Sequence, residues 1–390
     1  MVHCQSPERF PVKTLNCFLL KVISCLLLTA AAQAAQAPAR ILAVTVTTGF
    51  RHGSINTAEP VLEQLGRETG LFHVDFLRMP PNRPAQPRRP RRGRDTSDEQ
   101  WAAIEAEFKQ AQQEFREADR PWQKELKQQF AVAFAPESLV QFDGVMFVST
   151  TGELPIPDLG AFLDWIEAGH AFIGMHAATD TLKSSDAYVE MIGGHFAGHP
   201  WTAGGEHGFV NHEPGHRVAA MFPERFRWKD EIYQYDPRYR PENVRVLLSI
   251  DMAASNPKLP WHVPVAWVRD YGRGRVFYTN LGHNDATWND AAYQQHLSAG
   301  IAWALGRFDA PSKPNPEVQA AEYLRSALVV AAAVAGADHD ALRARADARI
   351  AADPAWAVGL RPRLVALRSL KPNQAKAACL ALIAEIDGNQ

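Results

Sequence analysis

The sequence predicts an α/β protein with a mainly parallel open sheet, helices on both faces, and a C-terminal helical appendage. Three observations carry this. Short apolar, β-branched runs bounded by glycine recur between residues 41 and 279. Several of the segments between them repeat their apolar residues at helical spacing. Beyond about residue 311 the strand-like runs stop and an alanine-rich helical pattern takes over. Buried strands alternating with amphipathic helices require a sheet covered on both faces.

The elements follow in order. Ile41 to Thr47 is a buried strand ended near Gly49. In the helix after it, Asn56 and Glu59 resemble a capping box, and Ile55, Ala58, Leu62 and Leu65 share one face. A second short strand includes His73 to Phe76. Pro80 to Arg94 is proline-rich and carries Arg83, Arg88, Arg89, Arg91, Arg92 and Arg94. It reads as a mobile linker or insertion, without the interleaved aromatics of a nucleic-acid arm. Asp98 to Leu126 reads as a charge-laced helix solvated on most sides. Asp143 to Thr150 is the next strand. Pro157 opens a helix with Leu159, Phe162, Leu163 and Ile166 on one stripe, and Gly169 stops it. Ala171 to Met175, Val244 to Ile250, Val263 to Val268 and Val276 to Thr279 are further strands, and Ala291 to Leu305 is a helix. The α/β domain thus spans 38–310 with an insertion at 80–128, and 311–390 forms three or four helices suited to protein contact or oligomerisation. The apolar stretch Ala327 to Ala335 is too short to cross a membrane.

Residues 1–37 read as an export signal. Lys13 and Lys21 precede the apolar run Val22 to Ala32, and Ala32-Gln33-Ala34 or Ala35-Gln36-Ala37 offers a small-residue cleavage site. The expected location is the periplasm or beyond. Val22-Ile23-Ser24-Cys25 resembles a lipoprotein box, but Lys21 breaks the apolar stretch before it. Cys4, Cys17 and Cys25 lie in this segment, leaving Cys379 alone and without an internal disulfide. The formal net charge of -2 gives no general affinity for nucleic acid or anionic membranes.

In open α/β sheets ligands bind beyond the carboxyl ends of the strands. Here those ends carry Gly49-Phe50-Arg51-His52, Thr150-Thr151-Gly152-Glu153, His176-Ala177-Ala178-Thr179-Asp180 and Asn280-Leu281-Gly282-His283. Three of the four deliver a histidine to one rim. Gly193-Gly194-His195-Phe196-Ala197-Gly198-His199-Pro200-Trp201 adds glycines, histidines and an aromatic able to stack on a sugar, followed by His207, His212 and His216. Glycine and proline beside these last histidines and His195 argue against helical metal spacing and leave them as solvated loop residues. Asp230-Glu231-Ile232-Tyr233 supplies carboxylates.

Together, Gly49 to His52, Gly174 to Thr181, Gly198-His199-Pro200-Trp201, Asp230 to Tyr233 and Gly272 to His283 resemble the ordered motifs of the trehalose-utilisation (ThuA-like) family, over roughly Arg40 to Phe308. The resemblance implies a fold like that of class I glutamine amidotransferases, related to the flavodoxin-like open sheets. In that fold a cysteine sits on a sharp strand-to-helix turn. Here His176 holds that place and no cysteine is near, which excludes a thiolate mechanism.

The implied substrate is a trehalose-like disaccharide, another glycoside or a keto-sugar derivative. Catalysis would be by His176, His283 and Glu231, as a hydrolase, lyase or isomerase. His52, His199, Trp201 and Asp180 would bind substrate, with Asp180 either capping the helix after the turn or orienting His176. His176, His199 and His283 could instead hold a divalent metal, zinc or manganese. A non-catalytic carbohydrate-binding module is the alternative. A lone good carboxylate, Glu231, argues against an ordinary two-carboxylate glycosidase.

Overall fold

The computed structural model describes Met1 and residues 37–236, 238–239 and 241–386. The export-signal reading, with Lys13, Lys21 and three of the cysteines, falls on residues 2–36, outside the described ones.

Nine strands form one sheet: β1 (Ala39–Val44), β2 (Phe72–Leu77), β3 (Gly144–Val148), β4 (Ala171–Met175), β5 (Glu206–Asn211), β6 (Arg225–Lys229), β7 (Arg245–Ile250), β8 (Pro264–Tyr271) and β9 (Gly274–Thr279). Their order is β2-β1-β3-β4-β9-β8-β7-β5-β6. The first five are parallel neighbours; the remainder pair antiparallel. The expected α/β sheet is present, and its parallel half carries the strand ends of interest. β5 and β6 escaped the sequence reading because neither is a continuous apolar run. Glu206-His207-Gly208 opens β5, and β6 alternates exposed and half-buried residues as a sheet edge does.

Successive residues of the parallel strands feed opposite faces. Ile41, Ala43, Met146 and Val148 join one core with Leu62 and Leu65 of α1 (Ile55–Thr69) and Leu297 and Ile301 of α7 (Ala291–Ala304). Leu42, Val44, Val145 and Phe147 join the other with α2 (Asp98–Ala133) and α4 (Leu159–Glu167). The helices α3 (Pro136–Leu139), α5 (Asp186–Ile192) and α6 (Asp285–Trp288) are short connectors.

Four local expectations are corrected. The capping box at Asn56 and Glu59 is absent: Ser54 is the cap residue of α1, and Glu59 instead accepts from Thr45 Oγ1 (2.7 Å) and Arg78 Nε (2.6 Å). Asp158, not Pro157, starts α4, accepting from the Ala161 amide. The proline- and arginine-rich segment is anchored where it meets α2. Trp122 Nε1 donates to the Pro80 carbonyl at 2.8 Å, and Arg83 pairs with Asp119 at 3.2 Å while lying over the Trp122 ring. α2 also runs further than expected, and its last turns bury Trp122, Leu126 and Phe130.

The C-terminal region forms four helices: α8 (Pro316–Ala335), α9 (His339–Ala352), α10 (Pro354–Ala366) and α11 (Pro372–Ile386). Tyr323, Leu324, Ala327 and Leu328 of α8 centre a separate core with Leu360, Leu364, Cys379 and Leu382. α8 is 20 residues long with mean hydropathy 1.3, enough to cross a membrane by length and composition, but two thirds of it is buried, as in a core helix. Asn315 and Gln319 tie it to the sheet, donating to the carbonyls of Val246 (2.9 Å) and Val244 (3.1 Å).

Candidate metal centre

The rim is built from strand ends that zip together. Isolated bridges join Thr47 to Thr151 and Gly152 to Thr181, linking the loops after β1, β3 and β4. Ser149, His176 and Leu182 adopt positive φ there (49°, 46° and 49°). Such strain costs on the order of 1–3 kcal/mol per residue and persists where the surroundings impose it. At the end of β4 the chain turns through His176 into a single 3-10 turn, His176–Asp180. Gly174 permits the tight packing behind it: a Cβ there would lie 3.0 Å from the Tyr278 ring and 3.3 Å from Ala178.

His176 is fully buried, and its Nδ1 donates to the Asn280 carbonyl at 2.8 Å. That bond fixes the tautomer and leaves Nε2 as a lone pair without a hydrogen-bond partner. His52, from the loop after β1, is also buried. Its Nε2 lies 3.2 Å from Tyr233 Oη, and its Nδ1 has no hydrogen-bond partner. His283 follows β9. The three imidazoles pack edge to face, with centroids 4.7, 5.3 and 5.2 Å apart. Glu231 completes the group: its carboxylate is 3.8 Å from His176 Nε2 and 3.8 Å from His283 Nε2.

One donor atom from each of His52, His176, Glu231 and His283 lies within 4.8 Å of all the others. These spacings are too long for hydrogen bonds between the four, which need roughly 2.7–3.2 Å. Tetrahedral zinc, with ligands at about 2.0–2.1 Å, spaces its donors about 3.4 Å apart. Small side-chain rotations close the difference. Burial lowers the pKa of His52 to about 4, helped by His283 and His199. Burial and then His52 hold His176 well below its ordinary value. Both imidazoles are therefore neutral at neutral pH, the form a metal requires.

Asp230 holds this arrangement. Its buried carboxylate accepts from the amides of Gly282 (2.7 Å), Asn284 (2.9 Å) and Glu231 (3.1 Å) and from Thr287 Oγ1 (3.0 Å). One side chain thereby ties the His283 loop to the Glu231 backbone. Burial pushes its pKa up to about 6 against those hydrogen bonds. Asn280 has a similar role. Besides holding His176, it accepts from the Tyr233 amide and donates to Tyr235 Oη.

A family model for trehalose utilisation (ThuA) matches residues 94–304, more than half of the chain. The chain belongs to the ThuA family. A protein described as ThuA-like from Bacteroides uniformis is 18% identical, over 70% of this chain and 94% of its own, with a TM-score of 0.47. A second from Parabacteroides merdae gives 18%, 70% and 93%, with a TM-score of 0.46. A Bacillus circulans β-galactosidase is 8% identical over 71% of this chain and 32% of its own, with a TM-score of 0.38. No curated protein matches the sequence. The family's fold is glutamine-amidotransferase-like.

The structure brings together His52, His176, His283 and Glu231 of the residues expected from sequence. It places the others differently. His199 is half exposed and sits beside the group rather than in it, with Nδ1 3.3 Å from Glu231. Trp201 is fully buried, bridged to Ile232 and donating to the Pro257 carbonyl, so it offers no face to a sugar. Asp180 neither caps nor orients: Ser185 caps α5, the Asn280 carbonyl orients His176, and Asp180 pairs with Lys183 at 2.6 Å. Glu153 accepts from the Ser184 amide and hydroxyl. His195, His207 and His216 are buried rather than solvated, held by Asp236, the Thr202 carbonyl and the Pro311 carbonyl in turn, and His212 is held by Ser249 at 2.9 Å. Asp230, Asn280 and Tyr233 were not singled out as site residues; their adjacency to Glu231 and to the end of β9 was the available signal.

The buried histidines make the fold acid-labile. His262 and His296 are fully buried, and burial depresses both, His296 to about 4. With His52 and His176 they bind protons in the unfolded chain below about pH 6.5 but resist them when folded. Their contribution to stability is complete above about pH 6.5 and is lost as pH falls towards the folded values. Asp230, with its raised pKa, acts in the opposite sense: its contribution is lost as pH rises through about 6. The histidines outnumber it. Calorimetry is expected to show Tm falling by several degrees between pH 7 and pH 5; an unchanged or rising Tm would contradict this balance.

Proposed function

We propose that this ThuA-family protein is a metal-assisted enzyme, active outside the cytoplasm, on a disaccharide or keto-sugar derivative of glycoside utilisation. The observation that carries the reading is the convergence of four donor atoms from three strand-end loops and the Asp230-Glu231 segment. Three imidazoles and a carboxylate suit zinc or manganese. Such an ion supplies Lewis acidity, polarising a carbonyl or acidifying bound water. The protein's own groups do the rest. Asn280 and Tyr233 hold the His176 and His52 rings, and the half-exposed His199 stands beside Glu231.

The carboxylates favour proton abstraction beside a carbonyl over ordinary glycoside hydrolysis. A glycosidase needs two opposed carboxyl groups. Asp230 is committed to its four donors, which leaves Glu231 as the carboxylate at the cluster. The binding-module alternative lost its main support with the burial of Trp201.

Dialysis against a chelator is expected to abolish turnover in a screen of native and oxidised disaccharides, and added zinc or manganese to restore it. Full turnover by metal-free protein would retire the proposal.

A further inference from the structure

We infer that Phe50 is the platform on which a pyranoside ring stacks beside the four-donor cluster. This rests on the sugar-directed reading above and names how the sugar is held.

Phe50 is 69% exposed, and among the described residues no other phenylalanine, tyrosine or tryptophan is as open to solvent. A large apolar ring left in water forgoes the stabilisation of burial. Here the exposure is built in. Thr151 Oγ1 donates to the Phe50 carbonyl at 2.7 Å, and the amides of Thr48 and Gly49 both reach the Thr151 carbonyl, at 2.9 and 3.4 Å. Arg51 donates back to the Thr45 carbonyl at 2.8 Å. Gly49 allows the close approach of these loops, since a Cβ there would meet Thr151 Oγ1 at 3.1 Å. The backbone is fixed on both sides of the ring.

The placement points to function. Phe50 packs edge to face on His52, with centroids 5.0 Å apart, and His52 belongs to the four-residue cluster. The fixed apolar surface therefore lies one ring away from the candidate reacting centre. His52 also meets Tyr233, whose ring packs on the half-buried Phe196 at 4.3 Å, with Lys183 Nζ 5.3 Å from that ring. An apolar face next to a cluster of imidazoles and a carboxylate matches a pyranoside, which has a face of C–H groups and a rim of hydroxyls. A lipid chain would need a continuous apolar groove, and a single exposed ring beside His52 does not provide one.

The test uses the full chain loaded with zinc, and trehalose, cellobiose and their keto-oxidised forms as probes. Binding is read by saturation-transfer NMR and titration calorimetry, and zinc by elemental analysis. Wild type is expected to bind at least one probe. Phe50→Ala should weaken that binding on the order of tenfold or more, and Phe50→Trp should retain it. Zinc content should be equal in all three. Equal sugar affinity in wild type and Phe50→Ala, or no probe bound by wild type, would overturn the platform. Phe50-dependent sugar binding in a protein that takes up no zinc would sink the metal reading alone and leave the platform in place.

Discussion

The variant His176→Asn is expected to keep its fold while losing metal and turnover. His176 sits at φ 46°, a left-handed conformation that asparagine tolerates better than most residues. The asparagine amide can reproduce the Nδ1–H donation to the Asn280 carbonyl, but it has nothing in place of Nε2. Zinc affinity should fall at least a hundredfold, since even outer-shell changes cost about 10–100-fold. Turnover should fall on the order of 10²–10³. Tm should stay within a few degrees. His176→Ala is the less clean experiment. The histidine is fully buried, and alanine strands the Asn280 carbonyl at a cost of about 1–3 kcal/mol. A His176→Asn protein with full zinc content and normal turnover would show that Nε2 does no work.

Asp230→Ala is expected to have the larger effect on stability. The change leaves three backbone amides and the Thr287 hydroxyl without their acceptor. Each orphaned buried donor costs about 1–3 kcal/mol. Against this, removing a buried carboxylate relieves its desolvation, which the raised pKa reveals. A net loss of about 3 kcal/mol follows, seen as a Tm lower by about 5 °C or more. Zinc affinity should fall as well, because the His283 loop and the Glu231 backbone lose their common anchor. A variant with unchanged Tm and unchanged zinc affinity would remove Asp230 from the account.

The parts legible in the sequence were those fixed by local pattern. β4 falls on the expected residues, since a short apolar run preceded by Gly169 and ended at a histidine has few other solutions. The meeting of His52, His176 and His283 followed from a rule about strand ends, with no need of distances. What the sequence hid depended on tertiary context. Trp201 in a glycine-rich loop reads as a surface aromatic until Ile232 and Pro257 are seen to enclose it. Glu231 reads from sequence as the site carboxylate and does face the imidazoles, but nothing local marks its neighbour Asp230, which the fold turns to the backbone amides. Phe50, beside a histidine already singled out, drew no notice because exposure cannot be read from one apolar residue. β5 and β6 were missed because edge and histidine-bearing strands lack a continuous apolar run.

X-ray absorption at the zinc edge of the zinc-equilibrated protein addresses the central claim most directly. The four-donor arrangement requires about one ion per chain, with nitrogen and oxygen neighbours at about 2.0–2.1 Å and the outer-shell signature of three imidazoles. Uptake far below one ion per chain, or an ion ringed by water without imidazole, would contradict it.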